Sequence, residues 1–158
     1  RMSEFTAAIA LAQLENSNQI LKMRKKCGVK FYKLLQMRSR DVVIQDINIG
    51  NSTFFTVAFY IKKKISWEKF RKKFIEFGGE GFYSAAKPVN QEIAIKRNSI
   101  GRCFSNCKKD CVKSCIGTPN AKLLQKKMIL LQTNHQSEKI LDKQLTALEK
   151  SFDYFNLK

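Results

Sequence analysis

The chain has 158 residues, 44% hydrophobic and 11% aromatic, with 30 Lys and Arg against 13 Asp and Glu for a net charge of +17. That apolar content argues against a disordered chain, and the length allows a core that buries roughly 70% of the unfolded surface without metal or disulfide. No apolar run approaches the roughly 20 residues of a membrane span, and the first residues do not read as a secretory leader, because Glu4 stands where positive charge belongs.

Residues 3–26 predict a helix capped by Ser3, with Ala7, Leu11, Leu14 and Leu21 along one face. Arg24, Lys25 and Lys26 fall in its last turn, where cations favour the helix dipole, and Gly28 is the expected stop. A shorter helical stretch over 29–37 turns Phe31, Leu34 and Leu35 inward and Lys30, Lys33 and Arg38 outward. Next, 41–49 and 52–61 are rich in β-branched and aromatic residues and enclose only Gly50 and Asn51. They predict a β-hairpin over about 41–61, closed by a two-residue turn in which Gly50 takes a positive φ. A bare hairpin is marginal in water, so something must cover its apolar face. The expected cover is an amphipathic helix over 66–77. Ser66 opens it, Trp67, Phe70, Phe74 and Phe77 form one stripe, and Gly78 and Gly79 end it.

Residues 81–86 and 91–96 are expected as two further strands joined around Pro88, completing a four-stranded, mainly antiparallel sheet. Thr118 and Pro119 have the chemistry of a helix start and set a boundary. An α+β core domain over 1–117 then precedes a long C-terminal helical segment over 118–158. Leu124, Met128 and Leu131 mark the first stripe of that segment. Leu141, Leu145, Leu148, Phe152 and Phe155 follow at spacings of four and three, a seam for docking on the core or for a coiled-coil homodimer. The expected fold class is therefore α+β, with N-terminal helices, a small antiparallel sheet under an amphipathic helix, and C-terminal helix.

The charge is unevenly spread. Residues 1–40 carry nine basic and two acidic groups and 61–79 carry seven and two, whereas 41–60 carry two Asp and no base. Such an excess speaks to partners: nucleic acid, an anionic surface or an acidic protein. The expected phosphate contacts are Arg24, Lys25, Lys26, Lys30, Lys33, Lys62, Lys63, Lys64, Arg71, Lys72, Lys73, Lys108 and Lys109. Aromatics interleave with these cations at 30–33, 59–64 and 70–74, as single-strand and RNA binders require, although the Trp67 stripe is regular enough to be core.

Four of the five cysteines, Cys103, Cys107, Cys111 and Cys115, repeat at a spacing of four. On one helix they would form a stripe about 18 Å long, which cannot close around a tetrahedral ion. The array reads as a buried thiol face or as disulfides. A metal site is the least expected, since C-x2-C knuckles are missing and His135 is the only His. Zinc is thus a minor reading and no other cofactor is expected. Intracellular placement is preferred, and secretion only if these thiols are disulfide-bonded.

Catalytic patterns are weak. The segment 78–81 lacks the Lys-Ser/Thr of a phosphate loop, Asp41 and Asp46 point to opposite faces of a strand, and His135 reads as a solvated or capping residue. The sequence thus points first to a non-enzymatic basic protein that binds the backbone of nucleic acid, RNA above all. The alternatives are a structural or assembly subunit gripping acidic partners, and a secreted, disulfide-stapled effector.

Overall fold

A computed structural model describes residues 2–84 and 118–158, together with Pro88 and Glu92. The elements in chain order are α1 (Glu4–Glu15), α2 (Ser17–Gln36), β1 (Val42–Ile44), β2 (Thr56–Ile61), α3 (Trp67–Glu76), β3 (Tyr83–Ser84), α4 (Pro119–Gln125), β4 (Met128–Gln132) and α5 (Glu138–Tyr154). The fold is α+β, with N-terminal helices, a small antiparallel sheet, the expected amphipathic helix α3 and a long C-terminal helix.

Strand β2 is the organising element. Val57, Phe59 and Ile61 alternate into the core while Thr56, Ala58 and Tyr60 stay half-exposed, the period of two that a pleated strand imposes. It pairs antiparallel with β1, Val42 opposite Ile61, and with β4, Tyr60 opposite Met128. Strand β3 pairs with the far side of β4, so the order is β1-β2-β4-β3. The buried face is filled by phenylalanine. Phe59 of β2, Phe70 of α3 and Phe152 of α5 meet with ring centroids 5.5 to 6.2 Å apart, in the tilted and edge-on arrangements that aromatic quadrupoles favour. Helices α3 and α5 thus cover one face of the sheet, and α2 packs beside α5, β1 and β2.

Several local expectations are corrected. The N-terminal helices divide at Asn16, not at Gly28, and α2 runs unbroken through 17–36. Gly28 is buried inside α2 because Phe54 lies directly against it, and a Cβ there would stand under 3.0 Å from the Phe54 ring. Close packing outweighs the roughly 0.5–1 kcal/mol that glycine costs a helix interior. The hairpin has no two-residue turn. Residues 45–55 form a longer connection in which Phe54 adopts φ 50° and turns into the core, while Asn48 Oδ1 accepts from the Gly50 N–H at 3.0 Å. Helix α4 stops at Gln125, and 128–132, read in sequence as helix, form strand β4. Ile129 and Leu131 go inward and pair across from β2, whose edge would otherwise carry unpaired backbone groups. The C-terminal segment therefore contributes a strand to the sheet as well as a helix.

Helix α5 behaves as its seam predicts for docking. Leu141, Leu148 and Phe152 are fully buried, and Leu145 and Phe155 pack against the same core. The seam is used within the chain. Of the two further expected strands, 81–86 appears in part as β3, whereas 91–96, apart from Glu92, and the cysteine array lie outside the described residues.

Candidate anion-binding surface

The expected phosphate-binding cations fall into three environments. One set is locked between helices. Lys26 pairs with Glu138 and Lys30 with Asp142 at 2.9 Å, stitching α2 to the first turns of α5. Each acid lies one turn from the next on α5, matching two lysines one turn apart on α2. Asp142 raises the Lys30 pKa above the ordinary lysine value through this hydrogen bond, and Lys26 lowers that of Glu138. On α3, Lys73 pairs with Glu76 at 2.6 Å and sits 4.6 Å from the centroid of the Tyr154 ring. Arg71 Nε donates to the Phe82 carbonyl at 3.2 Å, tying α3 to the residue before β3. These cations are engaged within the chain, in partly exposed pairs that contribute little stability each.

A second set gathers where β1 and β2 meet the end of α5. Lys62 Nζ donates to the carbonyls of Ser39 and Arg40, at 3.2 and 2.9 Å. Lys63 reaches Asp41 at 3.1 Å and the Asn156 carbonyl. Arg38 spans Asp153 at 2.9 Å and the Leu157 carbonyl at 3.1 Å. The Lys158 N–H donates to Asp41 Oδ2 at 2.8 Å, and this bond, then Lys63, depresses the Asp41 pKa. Here Arg38, Arg40, Lys62 and Lys63 surround two acids, Asp41 and Asp153, so the cluster keeps a positive excess.

A third set stands open. Lys33, Lys64 and Lys72 are exposed and make no hydrogen bond or ion pair among the described residues. Lys25 donates to the Gly50 carbonyl at 2.8 Å, and Arg24 lies 5.6 Å above the Phe55 ring centroid. Lys108 and Lys109 lie outside the described residues. The interleaved aromatics are mostly core, since Phe31, Phe59, Phe70 and Phe74 are all buried. Phe55, which no sequence signal singled out, is 76% exposed. Its neighbour Phe54 takes the inward place, in the left-handed conformation at φ 50°.

His135 corrects its sequence reading as a solvated or capping residue, since it is buried and Ser137 caps the helix that follows. It is buried against Phe31, with Nδ1 3.5 Å from Glu80, and burial lowers its pKa despite that carboxylate. The hollow beside it, between Glu80, Phe82, Gln132 and Gln144, has room for about one water molecule. Cys27 is buried and free, and burial raises its thiol pKa, the opposite of what a reactive cysteine needs. Among the described residues no three His, Cys, Asp or Glu side chains converge on a metal-sized position, and no helix is long and apolar enough to cross a membrane.

Helix α1 is the longer of the two described helices, with α4, that bury no residue. Ser3 Oγ caps it by accepting from the Thr6 N–H at 3.2 Å, and none of its residues is buried. Phe5, Ile9, Leu11 and Leu14 are each half or more exposed, at positions that point in several directions round the helix. It carries Glu4 and Glu15 and no base.

No protein-family model and no curated protein sequence matches this chain. Its fold is similar to that of a solved 3-amino-5-hydroxybenzoic acid (AHBA) synthase, with a TM-score of 0.67 at 15% sequence identity. The likeness covers 98% of this chain and 40% of the synthase, so the chain spans about two fifths of the length of that protein.

Proposed function

We propose that this chain is a non-enzymatic binding domain that works as one part of a larger assembly, docked through α1 onto a protein partner. The observation that carries this reading is α1 itself. A 12-residue helix is marginal in water on its own, and one that is apolar all round belongs inside a packed interior. Covering Phe5, Ile9, Leu11 and Leu14 would contribute on the order of 5 kcal/mol. The partner encloses α1 on more than one side. It is a different protein with an acidic surround, because two bodies of +17 repel and an antiparallel pair of α1 helices would set Glu4 against Glu15.

The test is co-purification from native cells after nuclease treatment. A partner in one-to-one amount, retained at 0.5 M salt and lost from a Phe5→Glu/Leu14→Glu variant with an unchanged melting temperature, is the expected result. A chain that purifies alone, or a partner indifferent to these two changes, overturns the reading.

A second reading is nucleic-acid backbone binding, RNA above all. It rests on the open cations Lys33, Lys64 and Lys72 and on the surplus around Lys62. It predicts affinity that falls steeply with salt, and no binding at low salt would refute it.

A further inference from the structure

We infer that Arg24 and Phe55 form a stacking site for a base of single-stranded nucleic acid, with the adjoining phosphate held by Arg24. This rests on the second reading above and gives it a location. The guanidinium of Arg24 covers one side of the Phe55 ring, with Cζ 5.6 Å from the centroid. The ring is 76% exposed and still offers an open face. An aromatic face flanked by a fixed cation is what a base and its phosphate require, and it is indifferent to base identity.

The exposure of Phe55 is built, not incidental. Phe54 is 2% exposed, seated against Gly28 in the left-handed conformation at φ 50°, which is unfavourable for a residue with a Cβ. Thr133 Oγ1 donates toward both the Phe54 and the Phe55 carbonyls, the latter at 3.1 Å. Lys25 holds the same loop at the Gly50 carbonyl. Buried anchors therefore fix the backbone on which an exposed ring stands. On the cation side, Arg24 Nε is the buried side-chain polar atom that lacks a partner among the described residues. Nε is shielded from solvent, which leaves the terminal Nη groups of the guanidinium, also without a bond among the described residues, as the donors an incoming phosphate would engage. A cation–π contact alone accounts for where Arg24 lies. It does not account for a large exposed ring pinned outward by a strained, buried neighbour.

The experiment is fluorescence anisotropy with labelled 12-nucleotide oligouridylate and oligothymidylate, at 50 and 200 mM KCl, on the full chain. Phe55→Ala is expected to weaken binding about 5- to 100-fold at either salt, with the salt slope unchanged, and Phe55→Trp to restore it. Arg24→Gln is expected to reduce the log–log salt slope by about 0.7, one phosphate contact. Lys64→Gln gives the loss that follows from removing charge alone. Urea midpoints of the Phe55 variants check that the fold is kept. Binding by wild type that Phe55→Ala leaves intact overturns the stacking site but not the nucleic-acid reading. No binding of either oligonucleotide at 50 mM overturns both. A preference for the uridylate or the thymidylate identifies RNA or DNA as the source of the strand, and either supports the site.

Discussion

Replacing Gly28 with alanine separates two opposite expectations. Judged by helix propensity, Gly28→Ala in the middle of α2 should stabilise the protein by about 0.5–1 kcal/mol. Judged by packing, it should do the reverse. The new Cβ would stand under 3.0 Å from Cβ, Cγ and Cδ1 of Phe54, where ordinary contacts begin at 3.4 Å. Phe54 must retreat by roughly 1 Å, which forfeits about a quarter to a half of its dispersion contacts on one side. Complete loss of a buried Phe costs about 3–5 kcal/mol, so the partial loss is about 1–2.5 kcal/mol. Moving the backbone at 54 also loosens the buried bonds from Thr133, worth about 1 kcal/mol. After the gain in propensity, Gly28→Ala should be about 1–3 kcal/mol less stable than wild type. The assay is urea unfolding, run also in a Phe54→Gly background. Alanine at 54 would not serve, since the Cβ of Phe54 is itself one of the close atoms. With Phe54 gone, Gly28→Ala should turn stabilising by roughly 0.5–1 kcal/mol. A stabilised single variant, or the same cost in both backgrounds, would falsify the claim that Phe54 is why position 28 is glycine.

Other expectations follow from buried groups. Phe152→Ala should cost about 3–5 kcal/mol, with a urea midpoint independent of protein concentration, because the α5 seam is filled from within the chain. A midpoint that rises with concentration would place the seam between copies. Thr133→Val keeps the shape but removes the one hydroxyl proton that the Phe54 and Phe55 carbonyls share, and should cost about 1–3 kcal/mol by the same assay. Burial holds the His135 pKa below its unfolded value, so the unfolded chain binds the proton first. The stability this represents is complete above about pH 6.5 and is lost as pH falls through the folded pKa. His135→Asn should flatten that part of the stability–pH curve, and an unchanged slope would rule out His135 as its source.

What could be read from sequence was what depends on one element at a time. The stripe Trp67, Phe70, Phe74 and Phe77 announces α3, and Ser66 caps it through an accepted bond from the Lys69 N–H. The α5 seam is equally plain. The errors arose where a distant residue decides. Gly28 looks like a helix stop until Phe54, 26 positions later, is known to lie on it. Residues 128–132 are an apolar run that suits helix or strand, and the unpaired edge of β2 settles the choice. The turn at Gly50 and Asn51 had the right chemistry for a hairpin, but pairing ends at Ile44, and Asn48 and Lys25 hold the loop instead.

The charge was legible as a sum and illegible as a map. Each internal pair, such as Lys30 with Asp142 or Lys63 with Asp41, withdraws one cation and one anion and leaves the +17 untouched. Pairing therefore moves the positive field rather than weakening it. It leaves α2's Lys26 and Lys30 serving the fold, and concentrates free charge at Lys33, Lys64, Lys72 and the Arg38–Lys62 cluster. Against this field α1 is exposed and apolar and carries two acids and no base. The two parts obey different physics. Contacts made by the free cations are screened over about 8 Å at physiological salt and fade as salt rises. Burial of Phe5, Ile9, Leu11 and Leu14 does not fade in that way. A partner gripped by both would lose its charged contacts in salt yet stay attached through α1, whereas a nucleic-acid strand would leave altogether. Raising salt on the native complex therefore distinguishes the surface that assembles from the surface that binds a polyanion.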